Sequence, residues 1–377
     1  MKIIDHFKNI PGWRTKRKLV VFSVDDYGNV RVDSSESRKA LDEAGYPALK
    51  RFDRYDALET REDLEALFEV LDTVKDQHGK PAVFTPYALT RNIDFEKMAS
   101  EDDGQYYSEL VSHTFERKAE QDPIPYQGTW KLWQKGMEEG YLSPEFHGRE
   151  HFNLRVFLQK LKEKDAQLMA SLKHRSNIAL QTKGDGNFKY SAAFGFKNKE
   201  DLAGMPEIIK EGMLDFREVY GRQATVFTPS ASQFPPSLVK HLPEYGIEAL
   251  DKPFFTKRYQ ESGKYAREFN FLGYDKKNGL TILVRNVIFE PIDDNTDRWI
   301  NLALRQIEAA FRWGKPANIS SHRVNFCGHI DKKNREKGLD ALKVLLGKIV
   351  ERWPDAEFIS ARDLAKIIGK SEKVERL

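Results

Sequence analysis

An α/β fold, with a parallel sheet wrapped by helices and closed or nearly closed into a barrel, is what this sequence predicts, on three observations. First, three stretches share one form: "GKPAVFTPYA" (79–88), "GRQATVFTPS" (221–230) and "GKPANISSHR" (314–323). In each, a helical pattern ends at a glycine suited to a helix C-cap, a short strand-like run follows, and Pro or polar residues stop it. Second, at least six short buried strands are present, most of them separated by helices, and alternating β and α argues for a parallel sheet with helices outside. Third, the chain has 377 residues, a length at which a barrel is the economical way to bury such a sheet.

The elements follow in chain order. "LVVFSVDD" (19–26) is the first strand, with five of the six residues from Leu19 to Val24 apolar. "REDLEALFEVLDTVKDQHG" (61–79) is a helix whose Leu64, Leu67, Val70, Leu71 and Val74 recur near every 3.6 residues and make one apolar stripe. The strand-like part of the 79–88 repeat comes next, then that of the 221–230 repeat, then "IEALD" (247–251) and "TILVRNVIF" (281–289). The helix "DRWINLALRQIEAAFRWG" (297–314) leads into the strand of the third repeat, and "AEFIS" (356–360) closes the series. Segments of about 93–142 and 252–295 exceed what one αβ turn needs and read as insertions over the mouth of a single domain spanning 1–377, with its core at about 18–368. Their aromatics, including Trp130, Trp133, Tyr106, Tyr107 and Phe254, either stack on sugar faces or form a small core of their own.

Composition narrows the function classes. A formal charge of +3 and about 40% hydrophobic residues argue for a sizeable core, and the interleaved charges form no basic stripe of the kind that tracks nucleic acid. No 18 apolar residues run together and "MKIIDHFKNIPGWRTKRK" holds no secretory apolar region, so a soluble, cytoplasmic protein without a transmembrane segment is expected. Cys327 is the only cysteine, which excludes an internal disulfide and any CxxC metal site. Metal ligands, if present, are His, Asp or Glu.

Active sites on such sheets lie at the carboxyl ends of the strands, and polar residues gather there: Asp25 and Asp26 after the first strand, Thr85-Pro86 and Thr228-Pro229 after later ones, and Ser321-His322-Arg323 after another. A pair of aspartates after a strand also serves as an Asx turn capping the next helix. A second signal points to a metal. "SPEFHGREHFN" (143–153) carries His147 and His151 at i, i+4, which on a helix or tight helical turn puts both imidazoles on one face within reach of one ion. One of the two aspartates can supply a third, anionic ligand, an arrangement that leaves open positions for water and substrate.

These motifs resemble those of the metal-dependent polysaccharide deacetylases, carbohydrate esterase family 4 of the glycoside hydrolase/deacetylase superfamily. "FSVDDYG" is similar to the family's T-F-D-D-G with one residue inserted, and "HGREH" to H-[ST]-x-x-H with Gly148 in place of the hydroxyl residue. The third motif, R-P-P-Y-G, is degenerate in "TPSAS" (228–232), and "ANISSHRVN" resembles the last, a strand ending in L-H. The resemblance runs in order from about Lys18 to Ile368. It implies an irregular (β/α)7-type barrel with long insertions over the C-terminal face of the strands. It further implies one divalent ion, Zn²⁺ first with Co²⁺, Ni²⁺ or Fe²⁺ as alternatives, on Asp26, His147 and His151. Asp25 would be general base, His322 the acid for the leaving amine, and a backbone N–H in the Ala231 to Ser232 turn would bind the oxyanion. The implied activity is removal of an acetyl group from an N-acetylated sugar, with a carbohydrate as partner and no oligomeric state specified.

Thr228 stands where the family has the arginine that fixes the base, so Asp25 needs another partner. Arg285 and Arg323 lie near strand ends and are candidates, although a surface salt bridge is the ordinary role of an arginine. Other readings are a related-barrel deacetylase of small chitooligosaccharides, a glycoside hydrolase using Asp25 with Glu290 or Asp293, and a catalytically silent carbohydrate-binding barrel.

Overall fold

A computed structural model describes residues 3–101, 103–182, 188–260, 264–291 and 295–374. The strands are β1 (Lys18–Tyr27), β2 (Phe84–Leu89), β3 (Arg91–Ile93), β4 (Ser108–Leu110), β5 (Glu145–Gly148), β6 (Val226–Phe227), β7 (Ala249–Pro253), β8 (Phe255–Gln260), β9 (Lys264–Phe269), β10 (Gly273–Asp275), β11 (Leu280–Arg285), β12 (Val287–Ile288), β13 (Ala317–His322) and β14 (Ala356–Phe358). The main sheet runs β10-β11-β7-β6-β5-β2-β1-β13-β12, with β14 beside β1, and every pair in it is parallel except β10 with β11.

The two ends of this sheet meet. β11 pairs with β7 while its continuation β12 pairs with β13, so the chain changes partner at Asn286. That residue bridges the seam: its N–H donates to the Asn318 carbonyl at 3.2 Å and its Oδ1 accepts from the Asn318 N–H at 2.9 Å. Seven parallel positions therefore close on themselves as an irregular barrel, thinnest at the two-residue β6. Hairpins β3–β4 and β8–β9 stand outside it.

Strand alternation sorts the core. On β1, Val20, Phe22 and Val24 face the helix layer and join its large apolar cluster. Leu19 and Val21 point the other way, into a second cluster with Tyr87, Val226, Ala249 and Leu283, against which Leu364 and Ile368 of the last helix pack. The helix expected from 61 is 61–72. It starts at a capping box in which Thr60 and Asp63 satisfy each other's backbone N–H groups, and it buries Leu64, Leu67 and Leu71. Gly221 and Gly314 adopt φ of 65° just past their helices, as a C-cap needs. Gly79 has φ 73° too, but it belongs to a turn built on Asp76, whose Oδ1 accepts from the His78 and Lys80 N–H groups. Pro86 does not stop the second strand: it sits inside β2, opposite Val24.

Above the apolar floor of the barrel the interior turns polar. Asp251 is fully buried and accepts from Ser23 Oγ (2.8 Å), Tyr87 Oη (2.8 Å), Arg285 Nε (3.0 Å) and Asn318 Nδ2 (2.9 Å). Four strands are tied to one carboxylate. Its removal leaves four buried donors, one of them the Arg285 Nε, without this acceptor, so Asp251→Ala is expected to lose about 3–5 kcal/mol of stability, read from urea denaturation midpoints. Among the described residues no helix is long and apolar enough to cross a membrane.

Candidate metal centre and acid–base pair

The carboxyl end of β1 breaks strand alternation. Between Val24 and Tyr27 the chain advances three residues while β2 advances two, from Pro86 to Ala88, so one extra residue forms a bulge. Asp26 lies in the bulge at φ 76°, a left-handed conformation costing a non-glycine residue about 1–2 kcal/mol. In a regular strand Asp26 would face the helices. The bulge turns it to the mouth, so that Asp25 and Asp26 both line one cleft of about 1240 Å³, along with His147, His151 and His322.

Asp25 is clamped by Arg285, whose Nη1 and Nη2 donate to its two oxygens at 2.7 and 2.8 Å. The same guanidinium reaches Asp251 through Nε and Thr228 Oγ1 through Nη2 at 3.0 Å. The arginine fork is thus used on all sides. Burial raises the Asp25 pKa, but Arg285 and then His147 outweigh it and hold the carboxyl below the usual value. Arg285 is buried and belongs to this site, which corrects the expectation of a surface salt bridge. Arg323 is elsewhere, buried and paired with Asp56 and Glu59.

Asp26 Oδ1 lies 2.8 Å from His151 Nε2 and 3.3 Å from His147 Nε2. The i, i+4 spacing is not helical, which corrects the sequence expectation: His147 is in β5, and His151 is in the bend before the helix Leu154–Lys162. Gly148, at φ 139°, makes that bend possible, since a Cβ there would meet the Glu150 carbonyl oxygen at 3.2 Å. His147 Nδ1 donates to the Thr228 carbonyl at 2.7 Å, which fixes the tautomer and leaves the Nε2 lone pair facing Asp26. Burial lowers the His151 pKa, against the pull of Asp26, and favours the neutral ring.

The residues fit a divalent ion. Three ligand atoms of buried Asp26, His147 and His151 lie within 4.8 Å of one another, and His147 Nε2, which faces Asp26, is buried without a hydrogen-bond partner. Orphaned buried imidazole nitrogens are costly unless something binds them. Two imidazoles and one carboxylate form a Zn²⁺-type donor set with open positions.

His322 ends β13 beside Asp25 in register, its Nε2 3.8 Å from Asp25 Oδ2. Its Nδ1 meets Glu290 Oε1 at 2.5 Å, and Glu290 Oε2 accepts from Arg51 (2.5 Å) and Asn325 (2.8 Å). Burial lowers the His322 pKa, yet Glu290, with Asp26 and Asp25 behind it, raises it to about 9. Glu290 itself is held below its ordinary value, burial being outweighed by His322. Sequence reasoning weighed Glu290 only as a glycosidase carboxylate. A glycosidase acid needs a raised pKa, and neither Asp25 nor Glu290 has one; Asp293 lies outside the described residues.

Ala231 and Ser232 both adopt φ 53° and line the cleft; the Ser232 N–H is taken by the Pro229 carbonyl at 2.9 Å. Most of the aromatics singled out in the long segments are core. Trp133 is fully buried and donates to Glu59 at 2.9 Å, Trp130 stacks on Phe115, Tyr106 packs on Phe152 and Phe157 and Phe254 is buried. Tyr107 pairs with Asp103 at the surface. The aromatics lining the cleft are Tyr46, Phe52, Phe188 and Tyr190, from segments that carry no motif, and Tyr265 of the second long segment.

No protein-family model matches the chain and no curated protein matches it. Solved structures similar to it include a Mycobacterium smegmatis protein assigned as a polysaccharide deacetylase, at 11% identity, TM-score 0.46, covering 96% of this chain and 94% of that one. PuuE allantoinase is similar at 10% identity and TM-score 0.45, covering 97% and 96%. The GH57-type branching enzyme of Pyrococcus horikoshii is similar at 11% and 0.44, covering 93% and 70%. Likeness at this level says nothing about chemistry, which rests on the residues.

Proposed function

We propose that this barrel is a metal-dependent hydrolase that removes an acetyl group from an N-acetylated sugar. One observation carries the reading: a buried Asp-His-His triad shares its cleft with a carboxylate forked by arginine and an imidazole backed by a glutamate. A divalent ion on the triad supplies a Lewis acid and lowers the pKa of water toward neutrality. Asp25, kept ionised by Arg285, takes the proton of the attacking water. The Ala231 N–H is the donor offered to the carbonyl oxygen as charge develops on it. His322, charged below about pH 9, gives its proton to the nitrogen as the carbon–nitrogen bond breaks, releasing acetate and the amine.

The test is acetate release from a panel of N-acetyl sugars by protein reconstituted with Zn²⁺, Co²⁺ or Ni²⁺. Asp25→Asn is expected to keep the metal and lose at least about 10²-fold in rate, the usual scale for a general base. If it loses metal while Asp26→Asn keeps it, the two roles are exchanged. Arg285 acts through Asp25 as a positioning residue. Since an ammonium cannot reproduce the fork, Arg285→Lys is expected to lower kcat by about 10–10²-fold with KM and metal content nearly unchanged. A matching loss of metal would assign Arg285 to the fold alone.

A further inference from the structure

The hairpin β8–β9 presents one face that is largely exposed, with Phe269 resting its ring on Phe254 at 5.5 Å. Its register pairs Phe255 with Phe269 and Lys257 with Arg267, with Tyr265 two residues before Arg267, so these residues share one side by strand alternation. The opposite side is anchored to the body: Thr256 is buried and donates to Glu268 at 3.0 Å, and Lys252 reaches the same glutamate at 3.3 Å. On the outer side Phe255, Tyr265 and Phe269 are 39%, 42% and 50% exposed, and Lys257 and Arg267 are exposed as well. Among the described residues that side carries no carboxylate.

The face is continuous with the catalytic cleft, because Lys257 and Tyr265 line it. Lys50 and Lys189 line it too, from other segments. The cleft's carboxylates are already engaged: Asp25 with Arg285, Asp26 with the two histidines, and Asp53 with Arg31. Lys50, Lys189, Lys257 and Arg267 form no ion pair among the described residues. Fixed unpaired cations around a concave site raise the local concentration of anions. Aromatic faces alternating with cations suit a chain whose apolar sugar faces alternate with negative groups.

From this we infer that the substrate is an acidic saccharide chain, its negative groups spaced along it and its length lying from the metal centre across the β8–β9 face. The inference rests on the hydrolase reading of the cleft and names its substrate class. It is tested by calorimetric binding to the metal-loaded protein of three probes: an N-acetylglucosamine–glucuronate tetrasaccharide, neutral chitotetraose, and N-acetylglucosamine 1-phosphate. The acidic tetrasaccharide is expected to bind about 10-fold or more tightly than the neutral one at low salt. That advantage should shrink as salt screens it and in Lys257→Gln and Arg267→Gln, made singly and checked for an unchanged melting temperature. Equal affinity for the two tetrasaccharides overturns the charge inference and leaves the hydrolase reading standing. Tight acidic binding without acetate release from any sugar keeps the face and overturns the hydrolase. Preference for the monophosphate over the tetrasaccharide replaces an extended chain with a single terminal charge, and adsorption only to vesicles containing 30% phosphatidylglycerol makes the face a membrane contact; either result overturns the proposal.

Discussion

His147→Ala and His151→Ala are each expected to lose tight binding of a divalent ion, and with it hydrolysis, while the protein stays folded. The triad sits at strand ends above the barrel's polar layer: His147 is bonded to the Thr228 carbonyl and His151 only to Asp26, whereas the tie across the strands is Asp251. Losing an imidazole leaves two ligands, and the expected fall in affinity exceeds the roughly 10–100-fold typical of changes outside the ligand shell. Metal content after dialysis and the thermal midpoint of the same samples separate the two effects. Wild-type stoichiometry in either variant removes the assignment; unfolding in both makes the pair structural. Wild-type metal also stabilises the fold by mass action, so adding chelator should lower the melting temperature of the wild type and leave both variants where they are.

The second large effect belongs to His322. As the acid for the leaving amine it must be charged, and with Glu290 raising its pKa to about 9 the alkaline limb of the rate profile is expected near that pH in the absence of other charge, and lower once a cation occupies the triad. His322→Ala should remove that limb. An amine leaves poorly without a proton and a phenolate leaves readily, so the variant is expected to lose about 10²–10⁴-fold on an N-acetyl sugar and far less on an aryl acetate. Equal losses on both substrates would make His322 a support for substrate or fold. The same pairing has a stability consequence. A histidine whose folded pKa is raised contributes stability that is complete below the unfolded value near 6.5 and disappears as pH rises through about 9. Thermal midpoints measured across that window should fall more for the wild type than for His322→Ala, whereas an equal fall in both traces would point to another group.

What the sequence determined by itself is whatever depends on neighbours along the chain. The apolar run from Leu19, the stripe of Leu64, Leu67 and Leu71, the cap glycines with positive φ at 221 and 314 and the gathering of aspartates and histidines at strand ends all follow from burial and local backbone sterics, which composition and spacing express directly. Tertiary structure decided the rest. The bulge that turns Asp26 toward the mouth needs β2 beside β1; His147 and His151 converge through a strand and a bend around Gly148, not a helical face. Arg285 meets Asp25 from 260 residues away, and Glu290 meets His322 only because β12 and β13 are neighbours. Trp133 was indistinguishable from a sugar platform until its indole was seen on buried Glu59. A hydrogen bond or ion pair across a barrel is set by strand order and register, and those are fixed by closure of the whole sheet, for which no local pattern in the chain is a signal.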